Sequence, residues 1–265
     1  VASGLERREA RLLLAAASGF SQASLLANVE RVLPDDVSAR FAEWSARRRS
    51  GEPVAYILGR REFYGLALAV NPAVLIPRPE TELLVDIALE RLRVNDTARV
   101  LDLGTGSGAI ALAIKRHRPR SRVAAIEASA AALVVAKRNS ASLGLDVELR
   151  HGVWFDPVRG ERFDLIVANP PYVAEQDPHL VEGDLRFEPR SALASGADGL
   201  NSIRAIVAAA PAHLQPGGLI AIEHGYDQAA AVRALLGEAG LIETFTRPDL
   251  AGIERVTGAI LTSTR

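Results

Sequence analysis

Two short segments concentrate the polar groups and backbone freedom that a reaction centre needs. The first is Leu101-Asp102-Leu103-Gly104-Thr105-Gly106-Ser107-Gly108, a strand-like run that closes in alternating glycines and leads into the helical pattern AIALAIKRH. Glycines at this spacing permit a tight turn and a close backbone approach, with helix N–H groups facing whatever sits above them. The pattern is not the G-x-G-x-x-G of dinucleotide folds, and no Gly-Lys-Ser/Thr comes after it to make a phosphate cradle. Asp102 would repel a phosphate. It suits a cationic ligand without one, such as the sulfonium and amino-acid end of S-adenosylmethionine. Glu127 ends the next strand, where a carboxylate is placed to accept hydrogen bonds from ribose hydroxyls. Taken alone, the loop reads either as such a cradle or as a glycine turn with a structural role only.

The second segment is Asn169-Pro170-Pro171-Tyr172, directly after the strand-like FDLIVA. Proline stiffens the loop and lacks an N–H, so the Pro170 carbonyl and the Asn169 side-chain oxygen stand as acceptors beside the Tyr172 ring. Two acceptors next to an aromatic face match a planar –NH2 group conjugated to a carbonyl or a ring. Such a nitrogen is a poor nucleophile because its lone pair is delocalised. Holding both hydrogens out of plane favours the pyramidal geometry needed for attack on a methyl carbon. The chemistry is then positioning and polarisation rather than strong base catalysis. By themselves the same four residues also read as a stiff turn.

Both segments must be held by regular elements. From residue 98 the chain alternates strand and helix patterns, with strand-like runs at 99–103, 122–127, 147–151, 163–169, 218–224, 243–246 and 256–262. Helical runs rich in Ala and Leu, such as 130–144, are expected between the first five. This alternation predicts an α/β fold with a mainly parallel seven-stranded sheet and helices on both faces. In such a sheet ligands sit beyond the carboxyl ends of the strands, so both loops should face one crevice.

Upstream, residues 5–50 read as helices, with faces Leu12/Leu13/Ala16/Phe20, Leu25/Leu26/Val29/Leu33 and Val37/Phe41/Trp44. Pro34 breaks the pattern, and Asp35–Asp36 can cap the third of these helices. Residues 54–76 alternate around Tyr64–Gly65, the signature of a short β-hairpin, and Pro79 suits a first helical turn. The expected organisation is a helical unit over 1–53, a hairpin linker over 54–76 and an α/β domain over 77–265.

Composition narrows the function classes. The 265 residues carry a formal net charge of −1, which argues against non-specific coating of nucleic acid. Hydrophobic content of 48% and charged content of 24% are those of a globular chain with a real core. Cysteine and methionine are both absent, so no thiolate site or disulfide is available. No apolar run approaches the ~18 residues of a membrane span, and a cytoplasmic location is the expectation. The histidines are scattered, and no metal site is expected. Arg78, Glu80 and Thr81 are explained by a cofactor mouth, and helix capping explains Glu80 and Thr81 equally well. Arg186, Glu188 and Arg190 are explained by substrate steering or by loop anchoring, and His224 stands at a strand end near the crevice.

The pairing of DLGTGSG with NPPY resembles the class I S-adenosylmethionine-dependent methyltransferases of exocyclic or amide nitrogens. The segments GEPVAYILGRREFYG, LIPRPETELLVD, NPPYVAEQDPHLVEGDLRFEPRSALASGADGL, GGLIAIEHGYDQ and DLAGIERVTGA are similar to the peptide chain release factor glutamine methyltransferases over about residues 50–260. NPPY is shared with DNA adenine methyltransferases; the RFEPRSAL and PRPETE segments are more specific. The resemblance implies a Rossmann-like methyltransferase domain, a helical N-terminal domain that recognises substrate, and methylation of the glutamine in the Gly-Gly-Gln motif of class I release factors. It implies S-adenosylmethionine as cofactor, S-adenosylhomocysteine as product, and no metal.

Carried onto this sequence, Gly104, Thr105, Gly106, Ser107 and Gly108 would wrap the methionine part of the cofactor. Glu127 would hold the ribose and Trp154 would lie by the adenine. Asn169 and Pro170 would grip the substrate amide, with Pro171 and Tyr172 alongside. Val153 precedes Trp154 where many relatives have Asp, and Glu127 stands where Asp is common. The expected state is a monomer acting on release factors, with no membrane or direct nucleic-acid partner. The alternative is a nucleic-acid methyltransferase acting on adenine N6 or guanine N2 through the same NPPY loop.

Overall fold

A computed structural model describes residues 4–27, 32–95 and 97–262. The chain opens with α1 (Arg7–Ser18), α2 (Gln22–Ala27) and α3 (Asp35–Arg49). Leu13 and Ala17 of α1 form a buried seam with Val37 and Phe41 of α3, and Trp44 packs at its edge. The seam lies one position round from the expected face. Leu12, Ala16 and Phe20 flank it and line a groove instead. Val29 lies outside the described residues. Asp35 and Asp36 occupy the first turn of α3 and Arg47–Arg49 its last, so each charge complements the helix dipole, although no side chain caps the N-terminus.

Within 54–76 the hairpin is β1 (Arg60–Phe63) and β2 (Leu66–Ala69), preceded by a short helix, α4 (Val54–Leu58). The alternation of AYIL suggested strand, yet Pro53 starts a helical turn and Gly59 stops it in the left-handed region at φ 66°. Five residues are too few for periodicity to tell the two apart. Tyr64 and Gly65 take φ of 49° and 76°, the mirror-image turn that matches strand twist. Pro79–Thr81 then forms a 3-10 turn leading into α5 (Glu82–Arg91).

The seven-stranded sheet contains β3 (Arg99–Leu103), β4 (Arg122–Glu127), β5 (Glu148–His151), β6 (Phe163–Ala168), β7 (Leu214–Glu223), β8 (Leu241–Pro248) and β9 (Glu254–Leu261). Their order is β5-β4-β3-β6-β7-β9-β8. Strands β3 to β7 pair in parallel, and β9 runs antiparallel to both of its neighbours. Connecting helices are α6 (Ala109–His117), α7 (Ala130–Leu143), α8 (Asn201–His213) and α9 (Ala229–Glu238). No α-helix joins β5 to β6, contrary to expectation. The breakers Gly152, Pro157 and Gly160 leave only a 3-10 turn at Asp156–Val158. Successive strand residues feed opposite faces: Val100, Leu165 and Val167 pack with α5 and α6, whereas Leu101, Leu103 and Ile166 pack with α8 and α9.

The register decides where chemistry can occur. Leu103 pairs with Ile126 on one side and Ala168 on the other, and Ala168 pairs with Ile222. The next residue of each strand therefore falls in one row: Glu127, Gly104, Asn169, Glu223. The chain leaves β3 for β4 on one side and returns to β6 on the other, so this row crosses the topological switch point.

The hairpin is tied to this row by Asn139 of α7, which is 1% exposed. Its Oδ1 accepts from the Ala69 N–H at 2.7 Å, and its Nδ2 donates to the Ala69 and Ser107 carbonyls at 3.0 and 2.8 Å. Asn139→Ala should destabilise the protein by about 2–3 kcal/mol, because buried backbone groups lose their partners. Urea unfolding measures this, and an unchanged midpoint would show that the tie carries no stability.

Candidate active site

The glycine loop is held from beneath and from the side. Asp102 is fully buried; its Oδ2 accepts from the Thr105 hydroxyl at 2.6 Å and the Ala111 N–H at 3.2 Å. It is a strut inside the loop rather than a wall of the cleft. The Gly104 and Thr105 N–H groups both reach the Ile126 carbonyl, at 2.9 and 3.0 Å. Gly104, Gly106 and Gly108 take φ of 73°, 57° and 87°, a region where side chains are strained. Glu127 spans the gap, accepting from the Gly106 N–H through Oε2 and the Ser129 N–H through Oε1, each at 2.8 Å. Thr105 and Ser107 are buried below, and Gly108 leads into α6.

Gly104, Gly106, Glu127, Trp154, Asn169 and Pro171 share the walls of a cavity of about 340 Å³. That volume is within the range of small-molecule sites. A Cβ at Gly106 would meet no protein atom within 4 Å, whereas one at Gly104 would touch the Trp154 ring at 3.4 Å. A carboxylate anchored at the rim, an aromatic ring and a glycine loop with open space above it together fit a nucleoside carrying an amino-acid tail.

At the other end, Asn169 Nδ2 donates to Thr81 Oγ1 at 3.0 Å. Its Oδ1 has no hydrogen-bond partner among the described residues. Pro170 is buried, and Pro171 reaches the cavity. Tyr172 does not line that cavity. Its hydroxyl donates to Glu223 Oε1 at 3.2 Å, and its carbonyl accepts from Gln228 Nε2 at 3.0 Å. Burial and the neighbouring Glu223 hold the Tyr172 phenol well above its usual range. His224 faces away from the crevice, with Nδ1 against the Gly225 carbonyl and Nε2 against Thr257 Oγ1, each at 2.8 Å.

The remaining walls come from segments whose sequence pattern gave no sign of a cleft role. Ala73, Val74 and Leu75 close one side and Pro189, Ser191 and Ala192 another. The long stretch after Tyr172 folds back on itself through Val173 N–H to Leu193 O and Ser195 N–H to Val173 O, at 2.8 and 2.9 Å. Gly199 makes this possible, since a Cβ there would lie 2.2 Å from the Tyr172 carbonyl. Glu188 pairs with Arg78 and accepts from the Ile76 N–H at 3.1 Å. Arg48 of α3 reaches Asp184 at 2.8 Å and Arg186 donates to the Ser50 carbonyl at 2.8 Å, so the helical unit grips the same stretch. Loop anchoring is therefore the role the structure gives Arg186 and Glu188. Among the described residues no His, Asp and Glu group is arranged to hold a metal ion, and no helix is long and apolar enough to cross a membrane.

Burial pushes the Asp102 carboxyl up to about 7, against the pull of its Thr105 and Ala111 hydrogen bonds. A raised acid stabilises the fold fully below its unfolded value of about 4 and loses that contribution as pH rises through about 7. Asp102→Asn keeps an acceptor for both donors and removes the buried charge. Its melting temperature should exceed that of the unsubstituted protein at pH 8, with the gap closing as pH falls towards 4. A gap independent of pH would contradict this.

Comparison with known proteins agrees with the geometry. The family described as "Methyltransferase small domain" matches residues 81–244, and "PrmC N-terminal domain" matches residues 2–59. The release factor glutamine methyltransferase of Pseudomonas aeruginosa is 54% identical over 95% of this chain and 91% of its own length. That of Bordetella pertussis is 51% identical over 97% and 96%. A methyltransferase from Pyrococcus furiosus shares the fold at 18% identity, with a TM-score of 0.58 over 83% of this chain and 99% of its own. With this identity extending through both the helical unit and the sheet domain, the chain belongs to the family of release factor glutamine methyltransferases.

Proposed function

We propose that this chain transfers a methyl group from S-adenosylmethionine to the side-chain amide nitrogen of the glutamine in the Gly-Gly-Gln motif of class I peptide chain release factors. The observation that carries this reading is the position of Asn169, which lines the same cavity as Gly104, Gly106 and Glu127 and whose Oδ1 has no hydrogen-bond partner among the described residues. When bound, S-adenosylmethionine would supply an electrophilic methyl group on a cationic sulfur, with neutral S-adenosylhomocysteine as the leaving group. Gly104 to Gly108 would hold the methionine part, Glu127 would accept from the ribose hydroxyls and Trp154 would hold the adenine, a reading supported by the cavity that Gly104, Gly106, Glu127 and Trp154 line together.

Asn169 Oδ1 and the Pro170 carbonyl accept the two amide hydrogens of the substrate, turning the nitrogen lone pair towards the cavity. Pro171 and Tyr172 keep that loop rigid. The extra proton on nitrogen passes to water after transfer, so neither a strong base nor a metal is required. Residues 1–53 grip a second region of the release factor, 54–76 link the two parts, and 77–265 carry the reaction. The enzyme acts as a cytoplasmic monomer without a direct nucleic-acid or membrane partner.

Incubation of a purified release factor with this protein and S-adenosylmethionine, then peptide mapping, tests the reading. One methyl should appear on the Gly-Gly-Gln glutamine and none on a factor in which that glutamine is replaced. No methyl, with cofactor shown to bind, would overturn it. Asn169→Ala should lower kcat by roughly 10²- to 10³-fold while cofactor affinity, read by calorimetry, changes little.

A further inference from the structure

A carboxamide has two ends of nearly equal size and opposite hydrogen-bonding character, so shape alone does not select its orientation. Asn169 is useful to a substrate –NH2 only with Oδ1 outward; the flipped side chain would set donors against donors. The inner end meets Thr81 Oγ1 at 3.0 Å. A hydroxyl is itself ambivalent, able to donate or accept. What removes the ambiguity lies one step deeper. Glu223, next in the row along the strand ends, is 1% exposed and receives the Tyr172 hydroxyl on Oε1 at 3.2 Å. Its Oε2 has no hydrogen-bond partner among the described residues. The buried Thr81 hydroxyl is near enough to draw the pKa of this carboxylate down, although no hydrogen bond joins the two and Oε2 stands open to receive one. An ionised carboxylate only accepts.

We infer that Glu223 is a positioning residue: its open Oε2 accepts a hydrogen bond from the Thr81 hydroxyl, so that Thr81 Oγ1 faces Asn169 as an acceptor and fixes it with Nδ2 inward and Oδ1 towards the reacting amide. Through Tyr172 the same carboxylate pins the far end of the Asn-Pro-Pro-Tyr loop. The inference rests on the role proposed above for Asn169. It assigns work to a residue that touches neither substrate nor cofactor.

The device depends on charge. Protonated Glu223 becomes a donor to Thr81, whose own proton then turns to Asn169 and favours the flipped carboxamide. Burial is the main force on Glu223 and places it at about 7, with Thr81, Tyr172 and Arg255 pulling it down and Glu80 pushing it up. His224, the next residue, is occupied by Thr257 and the Gly225 carbonyl. Activity through this network is present when Glu223 is ionised and is lost as pH falls through about 7.

The test compares the unsubstituted protein with Glu223→Gln, Thr81→Val and the double variant, using release factor as substrate. Each single variant should lower kcat by about tenfold to a hundredfold with KM for the factor little changed. The double variant should lose no more than either single one, because both break one chain of bonds. The acid limb of kcat should be absent in Glu223→Gln. Without any substrate, the Asn169 side-chain amide resonances should titrate near pH 7 in the unsubstituted protein and stay constant in Glu223→Gln. Additive losses, an acid limb retained in Glu223→Gln, or kcat within twofold of the unsubstituted protein would each overturn the inference. If Glu223→Gln does not fold, Thr81→Val decides alone: kcat within twofold of the unsubstituted protein overturns the inference. A protein that binds cofactor yet never methylates release factor overturns the proposed function instead, and the amide titration still reads the network.

Discussion

Parallel pairing of β3 with β6 is the constraint on which the site depends. With Leu103 opposite Ala168, the glycine loop and the Asn-Pro-Pro-Tyr loop leave the sheet side by side, separated by about the 4.8 Å between neighbouring strands. A slip by one residue would turn Asp102 or Val167 into the terminal position and reverse every side chain beyond it. The same register extends outward through β4 and β7, which brings Glu127 and Glu223 to the two ends of the row. Glu127, the glycine loop, Asn169 and Glu223 are thus neighbours along one edge, although more than ninety residues separate Glu127 from Glu223 in the chain.

The row, together with Asp102 just beneath it in β3, is also an arrangement of carboxyl groups with unequal solvation. Glu127 spends both oxygens on backbone N–H groups at the cavity rim, where a ligand can still reach it. Asp102 and Glu223 are shut away from water with one oxygen each left without a partner among the described residues. Low local polarity raises both groups and strengthens whatever hydrogen bonds they do make. Part of the cleft's polar behaviour is therefore set by groups that do not appear on its surface.

The strand pattern from residue 99 onward was legible in the sequence because a parallel sheet buried on both faces leaves near-continuous apolar runs, and β3 and β4 carry the expected bounds. The two loops were legible for the same reason, since each comes directly after such a run. Short elements were not: α4 hides in an alternating stretch, and the β5–β6 connection carries too many helix breakers for the expected helix. The face of α1 shifted by one position because Leu12 and Leu13 are equally apolar and only the packing partner distinguishes them. Thr81 and Glu223 were the hardest to see. One had a sufficient explanation as a cap, and the other gains meaning only through contacts with residues far away in sequence.

The sheet order carries a consequence for how the chain is made. β9 lies between β7 and β8, although the ribosome produces it after both. Until β9 emerges, β8 has no native neighbour and β7 presents an open apolar edge running through Leu219, Ile220, Ala221 and Ile222. Such an edge is a template for pairing with another chain. The nascent protein therefore passes through an interval in which the strand bearing Glu223 is complete but unprotected. Sealing that edge is a late event, brought about by the arrival of a strand that contributes no residue to the row of strand-end groups.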